Sequence, residues 1–199
     1  MARTHGNTRK FPHLLRHDPI YTQSFRDVAA VEVVRGDFFS QEAEAMVSPA
    51  NSFGIMDGGL DAAIRDTLGG GVEARVRTRI VERHHGELPV GSAEIVATDD
   101  ARWPLLVCAP TMRVPESAAH TVNAYLAFRA ALLALRGHGA TEGRAVQSVV
   151  CPGLCTGVGG MSARRCAAQM RVAWDQLTGP AATPSFREIH RVHQALRTA

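Results

Sequence analysis

The sequence predicts an α/β sandwich with a largely parallel sheet and helices covering both faces. Two observations carry this prediction. Short apolar runs rich in β-branched residues alternate along the chain with longer stretches whose apolar residues recur at helical spacing. In addition, two glycine-rich loops each follow an apolar run and precede a helical stretch, which is where α/β sheets bind their ligands.

The composition fits a single domain. The chain has 199 residues, of which 45% are hydrophobic and 21% are charged, and this balance excludes wholesale disorder and a coiled coil. We predict a flexible or peripheral arm over residues 1–23 and one domain over residues 24–199 that ends in a helix. No stretch approaches the ~20 consecutive apolar residues of a membrane-spanning helix, so no membrane partner is expected.

The elements follow in order from residue 31. Strands are predicted over residues 31–34, 45–47, 92–98, 105–109 and 146–151, and helices over residues 60–68, 72–85, 121–136, 162–177 and 186–196. Val72, Val76, Ile80 and, at the edge, Val81 form the inward face of the second helix. Gly137 and Gly139 are expected to end the third helix, because glycine is common just after a helix C-terminus.

Charge and cysteine usage restrict the partners and the compartment. Lys10 is the one lysine, and the arginines are spread along the chain instead of forming a basic stripe, which argues against a nucleic-acid partner. Four cysteines without an apolar signal segment indicate reduced thiols in a cytoplasmic protein. Their spacing does not match a zinc site, so neither a metal nor a cofactor is expected.

The second glycine-rich loop suits a phosphate or diphosphate. Its glycines, Gly153, Gly157, Gly159 and Gly160, let backbone N–H groups approach a ligand closely, and the helix that begins at Ser162 adds its partial positive charge. The loop lacks the lysine-containing phosphate-loop pattern and the dinucleotide-binding spacing. A tight turn between strand and helix remains an equal alternative at this point.

Four segments occur in the order seen in macrodomains. They are Gly36-Asp37-Phe38-Phe39, Ser48-Pro49-Ala50-Asn51-Ser52, Gly58-Gly59-Leu60-Asp61 and Cys155-Thr156-Gly157-Val158-Gly159-Gly160. The chain therefore resembles a macrodomain from about residue 31 to residue 177. The resemblance implies a three-layer α/β/α sandwich with a mixed, largely parallel sheet that binds ADP-ribose. Many members hydrolyse ADP-ribose from modified proteins or deacetylate O-acetyl-ADP-ribose.

The resemblance also implies roles for three side chains. Asp37 would accept a hydrogen bond from the adenine amino group, Asn51 would reach the distal ribose, and Asp61 would position or activate a water near the anomeric carbon. Each has a plainer alternative. Asp37 could cap a helical turn over residues 40–44, Asn51 could form an Asx-turn, and Asp61 could be an acidic residue favoured by the helix dipole.

The candidate site residues fall into two sets. The catalytic candidates are Asp61, Asn51 and Asp57. The ligand-binding candidates are Asp37, Phe38, Asn51, Gly58, Gly59, Gly153, Cys155, Thr156, Gly157, Val158, Gly159 and Gly160.

Departures from the family pattern crowd around the distal ribose. Ser48 replaces the first asparagine, Met56 and Asp57 shorten the first glycine run, and Gly159 replaces an aromatic residue often found in the second loop. Asp57 is for this reason a second candidate acid, and no residue is identified that stacks on adenine.

The predicted function is hydrolysis of mono-ADP-ribose from acidic side chains of proteins, or deacetylation of O-acetyl-ADP-ribose. A non-catalytic ADP-ribose reader and an α/β domain without a nucleotide ligand are the alternatives.

Overall fold

The computed structural model describes residues 19–198, and its centre is a four-stranded sheet. The strands are β1 (Ala45–Ser48), β2 (Glu94–Ala97), β3 (Leu105–Cys108) and β4 (Val149–Val150). They lie in the order β2-β3-β1-β4, with β1 parallel to β3 and β4 and with β2 antiparallel to β3. The mixed, mostly parallel sheet confirms the predicted fold class.

Helices cover both sides of this sheet. They are α1 (Pro19–Phe25), α2 (Gly59–Leu68), α3 (Gly71–His84), α4 (Asn123–Thr141), α5 (Ala163–Thr178) and α6 (Phe186–Thr198). Helix α3 packs on β2, α4 packs on β2 and β3, and α5 packs on both α4 and α1. All four side chains of β1 are buried, as expected for a strand covered on both faces.

Two sequence-based predictions concerning helix faces and ends are wrong. Val72, Val76 and Ile80 are buried on α3 as predicted, but Val81 is 62% exposed. Helix α4 does not stop at Gly137 but continues to Thr141. A Cβ on Gly139 would lie 2.9 Å from the Cα of Ala145, so this glycine allows the chain that follows the helix to pack closely.

Two predicted strands are also revised. Residues 31–34 are not among the strands that the structure describes, although Val31, Val33 and Val34 pack against the core. The strand predicted over residues 146–151 is reduced to Val149 and Val150.

Part of the predicted N-terminal arm belongs to the packed domain. Tyr21 and Phe25 of α1 are each 2% exposed. Arg171 of α5 holds this region, because its guanidinium donates to the Ser24 carbonyl at 2.7 Å and to both carboxylate oxygens of Asp27 at 2.6 and 2.9 Å. The arm therefore does not include residues 19–23, and residues 1–18 lie outside the described part of the chain.

The last helix, α6, is mostly exposed, and Leu196 is its buried residue. The buried Gln169 side chain of α5 donates to the Leu196 carbonyl at 2.9 Å, which attaches α6 to the domain. Within residues 19–198, no helix combines the length and the apolar character needed to cross a membrane.

Candidate active site

The carboxyl ends of β1, β3 and β4 meet at one edge of the sheet, and a cavity of about 660 Å³ opens there. This volume lies within the range of ~300–1,000 Å³ that is usual for small-molecule sites. The cavity is lined by all the candidate site residues except Gly160: Asp37, Phe38, Asn51, Asp57, Gly58, Gly59, Asp61, Gly153, Cys155, Thr156, Gly157, Val158 and Gly159. The four sequence segments thus come together in one place.

Asn51 shapes the loop that follows β1. Its Oδ1 accepts from the backbone N–H groups of Phe53 at 3.0 Å and Ile55 at 3.3 Å, and its Nδ2 donates to the Ile55 carbonyl at 2.7 Å. This is the Asx-turn alternative considered for the residue. One amide hydrogen of Asn51 remains for a ligand, because Nδ2 carries two.

Asp61 lies in the first turn of α2, and its side chain is almost completely buried. The residue is 7% exposed and lines the cavity. Its Oδ1 accepts a hydrogen bond from the hydroxyl of Ser48, the last residue of β1. A carboxylate at the start of a helix is also favoured by the partial positive charge there.

The surroundings of Asp61 change its proton affinity. Burial raises the pKa of Asp61 to about 6, the charge of Asp57 adds to this increase, and the hydrogen bond from Ser48 opposes it. Asp57 itself is exposed on the loop before α2 and also lines the cavity. Asp61 is therefore the carboxylate that can both stay ionised at pH 7 and accept a proton from a reacting water.

The second loop is shaped by its backbone. Cys155 and Gly160 both have a φ of 62°, and the Met161 N–H donates to the Cys155 carbonyl at 2.9 Å. Ser162 caps α5 by accepting from the Arg165 N–H at 3.2 Å. A Cβ on Gly157 would meet nothing within 4 Å, so there is open space beside this residue of the cavity wall.

Asp37 is a cap as well as a cavity residue. Its Oδ1 accepts from the Phe39 N–H at 3.1 Å and caps a 3-10 turn at Phe38–Ser40, whereas the sequence suggested a turn over residues 40–44. Phe38 is buried beneath this turn with its ring edge-on to that of Phe39. One acceptor oxygen of Asp37 therefore secures the turn, and the other can face the cavity.

A family model described as Macro domain matches residues 47–170, which is more than half of the chain. The chain belongs to the Macro domain family.

Individual proteins are similar to the chain in sequence or in fold. The macrodomain is 33% identical over 147 residues to a protein of Aeropyrum pernix described as uncharacterized, covering 74% of this chain and 71% of that protein. Its fold is similar to the macrodomain of Mycobacterium tuberculosis DarG, with a TM-score of 0.57, 20% identity and coverage of 75% of this chain and 95% of that one. A glycine-to-valine mutant of the Oceanobacillus iheyensis macrodomain, solved with ADPR, gives a TM-score of 0.59 at 16% identity over 98% and 96% of the two chains.

The macrodomain has a structural reason for Gly159 in its second loop. A Cβ at this position would lie 2.7 Å from the Cys155 carbonyl oxygen and 3.2 Å from the Cβ of Ala118. The Gly159 carbonyl also accepts from the Ala118 N–H at 2.8 Å. The chain around Ala118 is packed against the loop here and leaves no space for an aromatic side chain.

Sequence reasoning missed several residues of the cavity wall. Thr111, Met112 and Pro115 line the cavity after β3, and their place at the end of a parallel strand is a signal that could have identified them. Tyr21 of α1 also lines the cavity. Its hydroxyl lies so close to Gly153 that a Cβ there would be 2.7 Å away. No local pattern indicated this contact.

Two other kinds of chemistry, a cysteine nucleophile and a metal site, find no support in the described residues. Burial raises the pKa of Cys155 to about 12, so its thiol is neutral at pH 7 and is a poor nucleophile. In the part of the chain that the structure describes, no group of three or more His, Cys, Asp or Glu side chains could hold a metal ion.

Proposed function

We propose that this macrodomain binds ADP-ribose in the cavity and hydrolyses the ester that joins ADP-ribose to an acidic side chain of a protein. The observation that carries the proposal is the convergence of three features on one cavity: the Asp37 turn, the open loop around Gly157 and the buried carboxylate of Asp61. Its partners are ADP-ribose and mono-ADP-ribosylated proteins of the cytoplasm.

The cavity wall offers a chemically suitable group for each part of ADP-ribose. Asp37 accepts from the adenine amino group, since a carboxylate offers only acceptors and the amine is a donor. The backbone N–H groups of residues 155–159 and the first turn of α5 bind the diphosphate, because a helix N-terminus and a glycine loop both favour anions. The distal ribose then extends toward Asp61, with the remaining amide hydrogen of Asn51 beside it.

Asp61 supplies the chemical step. Its ionised carboxylate orients a water toward the anomeric carbon and takes a proton from that water as the bond forms. The bond between the anomeric carbon and the ester oxygen breaks, and the carboxylate of the modified side chain leaves with the bonding electrons. The negative charge of Asp61 also stabilises the positive charge that grows on the sugar. The same geometry can direct water to the ester carbonyl of O-acetyl-ADP-ribose.

A non-catalytic ADP-ribose reader is the second candidate, and one observation favours it. The side chain of Asn51 makes three hydrogen bonds within its own loop, so it has little capacity left to orient a ribose for reaction. A reader needs only the base and diphosphate contacts.

The deciding experiment measures release and binding together. The protein is incubated with a glutamate-linked mono-ADP-ribosylated protein and, separately, with O-acetyl-ADP-ribose, and free ADP-ribose and acetate are quantified. We expect release by the parent and almost none by Asp61→Asn, with similar calorimetric binding of ADP-ribose to both. Binding without release from either ester would support the reader, and no heat with ADP-ribose would refute the proposal.

A further inference from the structure

Ser48 occupies the position of the family's first asparagine, but it is separated from the cavity. The residue is 1% exposed, and it is absent from the cavity lining, whereas Pro49, Ala50 and Asn51 after it are present. Its backbone is fixed, because Ser48 pairs with Cys108 in the sheet and its carbonyl accepts from the Ala109 N–H at 3.1 Å. The Ser48 hydroxyl donates to Asp61.

The start of α2 favours an ionised Asp61, but the other side chains around this carboxylate do not. Asp57 contributes a like charge from the preceding loop, and the fully buried thiol of Cys108 lies on the neighbouring strand β3. Arg65, one turn further along α2, is paired with Asp66 at 2.8 Å. Among the described residues, Ser48 is the side chain whose hydrogen bond stabilises the ionised form of Asp61.

We propose that Ser48 is a positioning residue for the hydrolysis: its hydroxyl holds Asp61 ionised, with Oδ1 fixed and Oδ2 left for the cavity, and does not itself contact the ligand. This role rests on the proposed function. It differs from a residue that binds the distal ribose, since Ser48 acts only through the carboxylate. A ligand-contacting serine would change the KM, whereas a positioning serine changes the pH at which Asp61 ionises.

Replacement of Ser48 by alanine isolates this effect. Ser48→Ala removes one oxygen atom and leaves the backbone pairs of β1 intact, so the fold is expected to persist. Without the hydroxyl, the side-chain hydrogen bond that opposes burial and the charge of Asp57 is lost. We expect the titration midpoint of Asp61 to rise by about one pH unit, which is the scale of one hydrogen bond to a charged group.

The direct test is a pH titration of aspartate carboxyl ¹³C signals by NMR. Loss of one signal in Asp61→Asn assigns Asp61. Ser148→Ala is the matched control, because this serine also makes a hydrogen bond beside β1, accepting from the Glu44 N–H at 3.0 Å, but at the strand's other end. We expect a higher midpoint in Ser48→Ala, the parent midpoint in Ser148→Ala, and the parent midpoint in Ser48→Thr, which keeps the hydroxyl.

Kinetics give the second measurement. A shift of about one unit predicts that kcat/KM of Ser48→Ala falls about fivefold at pH 6 and returns to the parent value near pH 8, with an unchanged KM. An unchanged midpoint, or a higher KM with an unchanged pH profile, would overturn the role of Ser48. The NMR titration needs no substrate, so a shifted midpoint in a protein without turnover would refute the proposed hydrolysis separately.

Discussion

The two loops that line the cavity follow neighbouring parallel strands, yet they are built differently. The loop after β1 is held by side chains: Asn51 makes three hydrogen bonds within it, and Ser48 at its start bonds to Asp61 at its end. The loop after β4 has no ionisable carboxylate, amine or imidazole from residue 152 to residue 162. Its shape comes mainly from backbone hydrogen bonds and the positive φ of Cys155 and Gly160, with one side-chain hydrogen bond from the Thr156 hydroxyl to the Gly153 carbonyl at 2.8 Å.

This difference suits the two loops to different tasks, anion binding and proton transfer. Backbone N–H groups bind an anion without carrying a charge of their own, and they are insensitive to pH. A buried carboxylate has a proton affinity that its surroundings can adjust toward neutral pH. Changes in the first loop should therefore affect turnover, and changes in the second loop should affect affinity.

Asp61→Asn is expected to give the largest effect. Turnover should fall by ~10²–10⁴-fold, the usual contribution of a general base, while ADP-ribose affinity stays close to that of the parent. The amide keeps an acceptor for the Ser48 hydroxyl, so the local structure is preserved. Single-turnover rates and calorimetry measure the two quantities, with the milder Asp57→Asn as the control. If the Asp57 variant is inactive and the Asp61 variant is active, Asp57 and not Asp61 is the catalytic carboxylate.

Gly157→Val should weaken ADP-ribose binding by about 10–100-fold and leave the melting temperature nearly unchanged. A Cβ on Gly157 projects into open space, so the branched side chain obstructs the anion and not the protein. Calorimetry and thermal unfolding check the two outcomes. Gly159→Val is a poorer probe, because its side chain would collide with the Cys155 carbonyl and distort the loop. Parent-like affinity in Gly157→Val would show that the second loop is only a turn between strand and helix and does not bind the ligand.

Asp37→Asn tests the adenine end, which belongs to neither loop. The amide oxygen can still cap Phe39, but an N–H donor replaces the acceptor that faces the adenine amine. We expect the preference for ADP-ribose over inosine diphosphate ribose to fall by about tenfold. Competition calorimetry with the two ligands measures it, and equal losses for both would contradict a base contact.

The pH dependence of kcat/KM should follow Asp61. Its pKa is raised to about 6 and the base must be ionised, so activity is present above pH 6 and is lost as the pH falls. The rate should drop by about tenfold from pH 7 to pH 5. Initial rates across this range are the measurement. A rate that instead falls as the pH rises through 6 would make Asp61 a general acid.

The last expected effect concerns the stability of the fold and not its activity. The folded protein binds a proton at Asp61 more tightly than the unfolded chain does, since the pKa is raised from 3.8 to about 6. The destabilisation by the ionised group is therefore complete above pH 6 and disappears toward pH 4. Asp61→Asn should stabilise the protein by about 2–3 kcal/mol at pH 7.5 and by much less at pH 4.5. Denaturant unfolding at both pH values tests this.

Features with a clear local period were predictable. The apolar run of β1 and the stripe of α5 were located to within one or two residues, because burial on one or both faces imposes an unmistakable pattern. The end of α4 was not, because Gly139 does not end the helix but lies inside it, where it lets the chain at Ala145 pack closely.

The candidate site was predictable where its residues follow strands. Both loops were identified because parallel strands present their carboxyl ends at one edge, and Asp61 was identified through the resemblance to macrodomains. The hydrogen bond between Ser48 and Asp61 could not be predicted, because it depends on how α2 sits against β1. Tyr21 was assigned to the arm, because its burial follows from the packing of α1 against α5, which no local pattern indicates.

Helix α1 lies outside residues 47–170, the part of the chain that matches the family model, and yet it contributes Tyr21 to the cavity wall. Two members can therefore share every glycine and aspartate of the family pattern and still differ on this side of the ligand. A change in this short helix would alter the cavity wall without changing Asp61 or either glycine-rich loop. Similarity across residues 47–170 therefore leaves part of the cavity wall uncompared.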